Sequence, residues 1–184
     1  AGACNRLGLR TVLVLEGERP DSIQGNLLVD YLLGAEIHFA KTREEQRARM
    51  AEVSERTKRE GRHPFVLNES PMFALGSALA YLESTLETLE QLGREDVFPE
   101  YFYVSSAGKA QAGMVLAEKL FDHAFRIHGV CATSEFNVAN RTAEIANDAA
   151  RELGFSVSIR PEEIVNFSQF IGTGYGIPSV EGNE

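Results

Sequence analysis

Five consecutive residues, Ser106-Ala107-Gly108-Lys109-Ala110, combine the types and spacing best suited to chemistry. Before them stands an aromatic and β-branched run, Tyr101-Phe102-Tyr103-Val104; after them a helical pattern extends from Lys109 to Leu120. A strand, a tight turn of small residues and a helix N-terminus aim unpaired backbone N–H groups and the positive end of the helix dipole at one spot. An anion suits that spot, and a phosphate is the obvious guest. Small residues also fill βα turns merely because the chain is crowded there, so the rest of the sequence has to support the phosphate. Lys109 carries two readings: an ammonium that reinforces a bound phosphate, or an exposed lysine of a first helical turn.

Other chemistries find less support. The loop SSAGKAQAG contains neither GxGxxG nor GxxxxGK[ST], and no Ser or Thr follows Lys109 to hold magnesium, which disfavours a nucleotide-binding protein. His38, His63, His123 and His128 have no cysteine or acidic partner at ligand spacing, so no metal site is expected. The GxSxG elbow of a serine hydrolase is absent, and Glu44-Glu45 and Glu162-Glu163 read as helix-start and solvent charges. A net charge of −9 argues against a nucleic-acid surface, because phosphate neutralisation needs clustered Lys and Arg. Cys4 and Cys131 lie far apart without metal-ligand spacing and read as free or buried thiols of a reducing compartment. Neither a membrane span nor a signal peptide is visible, and a cytoplasmic location is expected.

The elements that would position the turn alternate strand with helix. Thr11 to Leu15 and the alternating Ala35 to Ala40 read as strands, as do His63 to Asn68 and Phe125 to Ala132. Helices are expected from Gly25 to the Gly34 stop and from a capping box at Thr42 and Glu45 to about Glu60. Further ones run from about Met72 to Leu92 and from a Ser134 cap to Leu153. Phe155 to Ser158 is too short to type, Ser158 to Ile164 suggests a capped turn, and Phe167 to Glu184 is loop-rich. The class is therefore α/β with mostly parallel sheets. Residues 1–70 are expected to belong to a smaller domain and 71–184 to a larger, cofactor-binding one, with the boundary between 70 and 98.

Four segments in this order resemble a known family: RLGLRTVLVLEG (Arg6 to Gly17), GNLLVDYLLGAEI (Gly25 to Ile37), SSAGKAQAGM (Ser105 to Met114) and GYGIPSVEGNE (Gly174 to Glu184). The chain resembles the fold-type II, pyridoxal-phosphate-dependent D-cysteine desulfhydrase and 1-aminocyclopropane-1-carboxylate deaminase family, related to the tryptophan synthase β chain. The resemblance implies two three-layer α/β subdomains with the cofactor between them, its phosphate held at Ser106, Ala107, Gly108, Lys109 and Ala110. It maps the family's substrate-side tyrosine to Tyr175. It also implies a lyase or deaminase of amino acid metabolism acting on a small amino acid and releasing ammonia and a 2-oxo acid. Where relatives have a small residue and a threonine in the phosphate turn, this chain has Lys109 and Ala110; backbone donors survive both changes.

In that family the Schiff-base lysine precedes the segment matching Ala1, and further active-site residues follow the one matching Glu184. The sequence therefore reads as an internal fragment, incomplete at both ends. Lys109 is badly placed for the Schiff base, since aldehyde and phosphate sit on different substituents of the cofactor ring. A non-catalytic α/β binding protein that retains the phosphate turn is the alternative reading. Among partners, a small amino acid is expected, nucleic acid and membrane are not, and a homodimer is possible.

Overall fold

The computed structural model describes residues 1–67, 71–134 and 136–172. The chain divides into two compact units, Ala1–Val66 and Leu67–Glu184. The expected class, α/β with mostly parallel sheets, is borne out, and the sheets are short.

The first unit contains α1 (Gly2–Arg6), β1 (Val12–Glu16), α2 (Gly25–Leu32), β2 (Glu36–Ala40) and α3 (Arg43–Arg59). Strands β1 and β2 pair in parallel with Val12 opposite Glu36 and Glu16 opposite Ala40. Helix α3 begins as the sequence predicts: the Thr42 hydroxyl accepts from the Glu45 N–H at 3.2 Å. The Glu45 carboxylate reaches back to the N–H of Lys41, one residue before the cap, at 2.7 Å. This helix is tied to the sheet by polar contacts. Gln46 Nε2 donates to the Val14 carbonyl at 2.8 Å, and the Arg56 and Arg10 guanidiniums both donate to the Glu36 carboxylate. Those two cations hold the Glu36 carboxyl down to about 2, Arg56 contributing most.

The second unit contains α4 (Pro71–Arg94), β3 (Tyr101–Ser106), α5 (Lys109–Leu120), β4 (Arg126–Cys131), α6 (Val138–Glu152), a single 3₁₀ turn (Pro161–Glu163) and β5 (Val165–Phe167). Its sheet runs β3-β4-β5, all parallel. Burial alternates along the strands, which sorts the side chains by face. Phe102, Val104, Ile127 and Cys131 turn toward the helices, while Tyr101, Tyr103, His128 and Phe167 form a mutually touching aromatic set on the other face. The core gathers Leu82 of α4, Ala112, Val115 and Leu116 of α5, Ile127 of β4, and Ile145, Ala146 and Ala149 of α6. Gly113 sets the distance between α4 and α5, since a Cβ there would collide with the Ala78 carbonyl oxygen.

The local expectations need four corrections. His63 to Leu67 forms no strand: Phe65 is 88% exposed and the segment connects the two units. Pro64 removes a donor at its start, and no neighbouring strand among the described residues takes the rest. Helix α6 starts three residues later than a Ser134 cap would place it. Asn137 is the cap, its Oδ1 accepting from the Asn140 N–H at 3.0 Å. Strand β3 runs on through Ser105 and Ser106, which narrows the turn to Ala107 and Gly108. Val165–Phe167, assigned to no element from sequence, supplies the third strand. No helix among the described residues is long and apolar enough to cross a membrane.

Candidate functional site

Helix α5 starts where the sequence places it, at Lys109, with Gly108 as N-cap at φ 107° and ψ −41°. Only glycine reaches that region without strain. Ser106 is buried, and its Oγ accepts from the N–H of Gly108 at 2.9 Å and of Gln111 at 3.4 Å. It caps the helix from inside the turn and braces the loop. Lys109 and Ala110, the first two helical residues, keep N–H groups that the helix ladder cannot use. They are half-buried, Ala107 is exposed and Gly108 is buried. Thus the turn presents its free donors at Lys109 and Ala110, while Ser106 and Gly108 shape it.

Around the turn lie residues that sequence reasoning missed. A Cβ added at Gly108 would sit 3.3 Å from Thr142 Oγ1 and 3.5 Å from Arg141 Cγ, so α6 lies directly against the turn. Thr142 is fully buried and its hydroxyl has no hydrogen-bond partner among the described residues. An orphaned hydroxyl at that depth is uncommon enough to need a reason. A cleft of about 540 Å³ is lined by Leu75 of α4, Lys109 of α5, Phe136, the cap residue Asn137, and Arg141 and Glu144 of α6. The starts of α5 and α6 therefore both border this cleft.

Charge reinforces that arrangement. The Lys109 ammonium stands 4.7 Å from the centroid of the Phe73 ring, and the Arg141 guanidinium 4.8 Å from that of Phe136. Neither cation makes an ion pair with a carboxylate among the described residues. Of the acidic residues bordering the cleft, Glu144 stands one helical turn beyond Arg141, and Asp148 pairs with Arg151. Two cations without carboxylate partners, beside two helix starts, fit a dianionic group such as a phosphate. The cradle that a Cβ would fill at Gly108 and the unmatched Thr142 hydroxyl fit it as well.

The remaining sequence candidates distribute differently. Tyr175 and the GYGIP segment lie outside the described residues. His123 Nδ1 donates to the Glu118 carboxylate at 2.9 Å, and that carboxylate also takes the Ile127 N–H at 2.8 Å and the Arg126 guanidinium at 3.1 Å. That network staples the end of α5 to β4. Cys4 and Cys131 are free thiols, and burial pushes that of Cys131 up. Among the described residues, no group of three or more His, Cys, Asp or Glu side chains could hold a metal ion.

Comparison with known proteins agrees with the family resemblance. The chain is 30% identical over 164 residues to a Pyrococcus horikoshii protein named "Putative 1-aminocyclopropane-1-carboxylate deaminase", covering 87% of this chain and 49% of that protein. Its fold matches a solved structure described as that of an ACC deaminase homologue with a TM-score of 0.69 and 26% identity, over 91% of this chain and 50% of that one. The chain thus spans about half the length of the relatives it matches. No protein-family model matches it. The resemblance read from the four sequence segments is borne out in both sequence and fold.

Proposed function

From a chain akin in sequence and fold to the 1-aminocyclopropane-1-carboxylate deaminase and D-cysteine desulfhydrase family, we propose that this is the phosphate-anchoring part of a pyridoxal-phosphate-dependent deaminase. Its substrate is a small amino acid of the D-cysteine or aminocyclopropane-carboxylate type, and its products are ammonia and a 2-oxo acid. The observation that carries this reading is the start of α5, where Lys109 and Ala110 offer free N–H groups beside two cations that form no ion pair with a carboxylate among the described residues.

When bound, the cofactor supplies the electron sink for charge developing on the substrate carbon. The protein's own residues do the holding. The N–H groups of Lys109 and Ala110 and the dipole of α5 take the phosphate oxygens, and the Lys109 ammonium adds charge at the rim. Ser106 fixes the loop conformation through the Gly108 and Gln111 N–H groups, so the donors are in place before the phosphate arrives. Gln111 steadies the far side: fully buried, it donates from Nε2 to the Val165 carbonyl at 3.2 Å and ties α5 to β5. Tyr175 is assigned to the substrate side on the strength of the family motif, with proton transfer as its role.

Incubating the parent protein with pyridoxal phosphate and D-cysteine or aminocyclopropane carboxylate tests the reading. Cofactor capture seen in the absorbance spectrum, followed by release of ammonia and a 2-oxo acid, is the expected result. A protein that leaves the cofactor spectrum unchanged at saturation is not such an enzyme.

A further inference from the structure

We infer that Arg141 of α6 is a ligand for the phosphate dianion, so that the anion is gripped between two helices instead of by the βα turn alone. This rests on the phosphate reading of the turn and extends it to a residue that no motif marks. Arg141 is half-buried, and its side-chain stem lies against the Gly108 turn. Its guanidinium rests on the Phe136 ring, a contact that restrains the side chain while leaving its N–H edge for an acceptor. The next residue, Thr142, presents to the same turn a fully buried hydroxyl without a partner among the described residues. Lys109 borders the same cleft, also without a carboxylate partner among the described residues.

In a protein of net charge −9, two cations that border one cleft at the starts of two helices and form no ion pair with a carboxylate among the described residues are placed for an outside anion. The alternative partner, Glu144, lies one turn along α6 and forms no ion pair with Arg141. The turn has alanine at position 110, so no hydroxyl from the second helical residue serves the phosphate. A guanidinium fork from α6 supplies side-chain donors in its place, and it can engage two phosphate oxygens at once.

The experiment measures dissociation constants of pyridoxal phosphate, pyridoxal and inorganic phosphate for the wild-type protein, Arg141→Gln, Arg141→Lys and Arg94→Gln. Arg94 pairs with Glu90 on the exposed end of α4 and serves as the control for overall charge. Wild type should prefer pyridoxal phosphate over pyridoxal. Arg141→Gln should weaken pyridoxal phosphate and inorganic phosphate about tenfold or more, the size of a lost charge-assisted contact, and leave pyridoxal unchanged. Arg141→Lys should recover part of the loss, and Arg94→Gln none of it should show. Thermal melting of each variant establishes that it is folded. Wild-type discrimination in both Arg141 variants would overturn the role of Arg141 while leaving the phosphate turn standing. Equal binding of pyridoxal and pyridoxal phosphate by wild type would overturn the turn and Arg141 together.

Discussion

The two units reach a parallel α/β arrangement by different physics. In the first, α3 meets its sheet through Gln46, Arg56 and the shared carboxylate of Glu36, and Ala40 is the only buried apolar residue among those described. In the second, three helices and a three-stranded sheet enclose a continuous core in which Leu116, Ala112 and Ala146 are wholly inaccessible. The turn at Ala107 and Gly108, proposed as the phosphate site, belongs to the second. A binding geometry has to hold to within a fraction of an ångström, and packed helices hold it better than exposed ion pairs do. The second unit is therefore vulnerable to changes of volume and the first to changes of charge.

Volume changes should produce the largest effects. Leu116→Ala empties a fully buried site and should cost about 3 kcal/mol of unfolding free energy. Leu13→Ala in half-buried β1 should cost about 1 kcal/mol, since less surface is removed from the interior. Urea unfolding of both variants measures the gap, and equal costs would erase the contrast. Gly113→Ala comes next. With the Ala78 carbonyl where the new methyl must go, α4 and α5 have to separate, at about 1–3 kcal/mol. An unchanged melting temperature would mean that the helices do not touch there.

Ser106→Ala should cost about 1 kcal/mol, as the loss of a capping hydroxyl does, and it loosens the loop as well. Its phosphate affinity should fall although the side chain touches no ligand; loss of stability with full affinity would leave Ser106 without a part in the site. The smallest effect is electrostatic. The folded-state value of Glu36, about 2, lies below its ordinary 4.5. Its ion pairs are therefore at full strength above about pH 4.5 and are lost as pH falls toward 2. Glu163 in the second unit, held down to about 2 first by the Arg160 N–H and then by Lys119, titrates in the same window. Amide exchange in β2 is the readout that isolates the first unit: protection should decline across that window in the wild type and stay level in Glu36→Gln.

Much of this architecture was legible because it is local. The start of α5 at Lys109, the Thr42 cap, the Gly34 stop and the β1, β3 and β4 strands all follow from residues within a few positions of each feature. The pattern at His63 to Leu67 misled because β-branched and aromatic content describes a strand only when a neighbour strand is there to pair with it. Val165–Phe167 escaped for the opposite reason: three residues with a central Asn carry almost no pattern, and β4 alone makes them a strand. The site divided in the same way. Ser106 to Ala110 could be read as one continuous turn, but Arg141 and Thr142, some thirty residues later, join it only when α6 folds back beside Gly108. Nothing in the spacing of an Arg-Thr pair inside a helix announces that.

The central claim is that the start of α5 is a phosphate site. Backbone amide shifts recorded while pyridoxal phosphate is titrated into the protein test it most directly. Saturable shifts concentrated at Gly108, Lys109 and Ala110, much reduced when pyridoxal replaces the phosphate ester, are the predicted result. Shifts that bypass these three amides, or that are the same for both compounds, would contradict it.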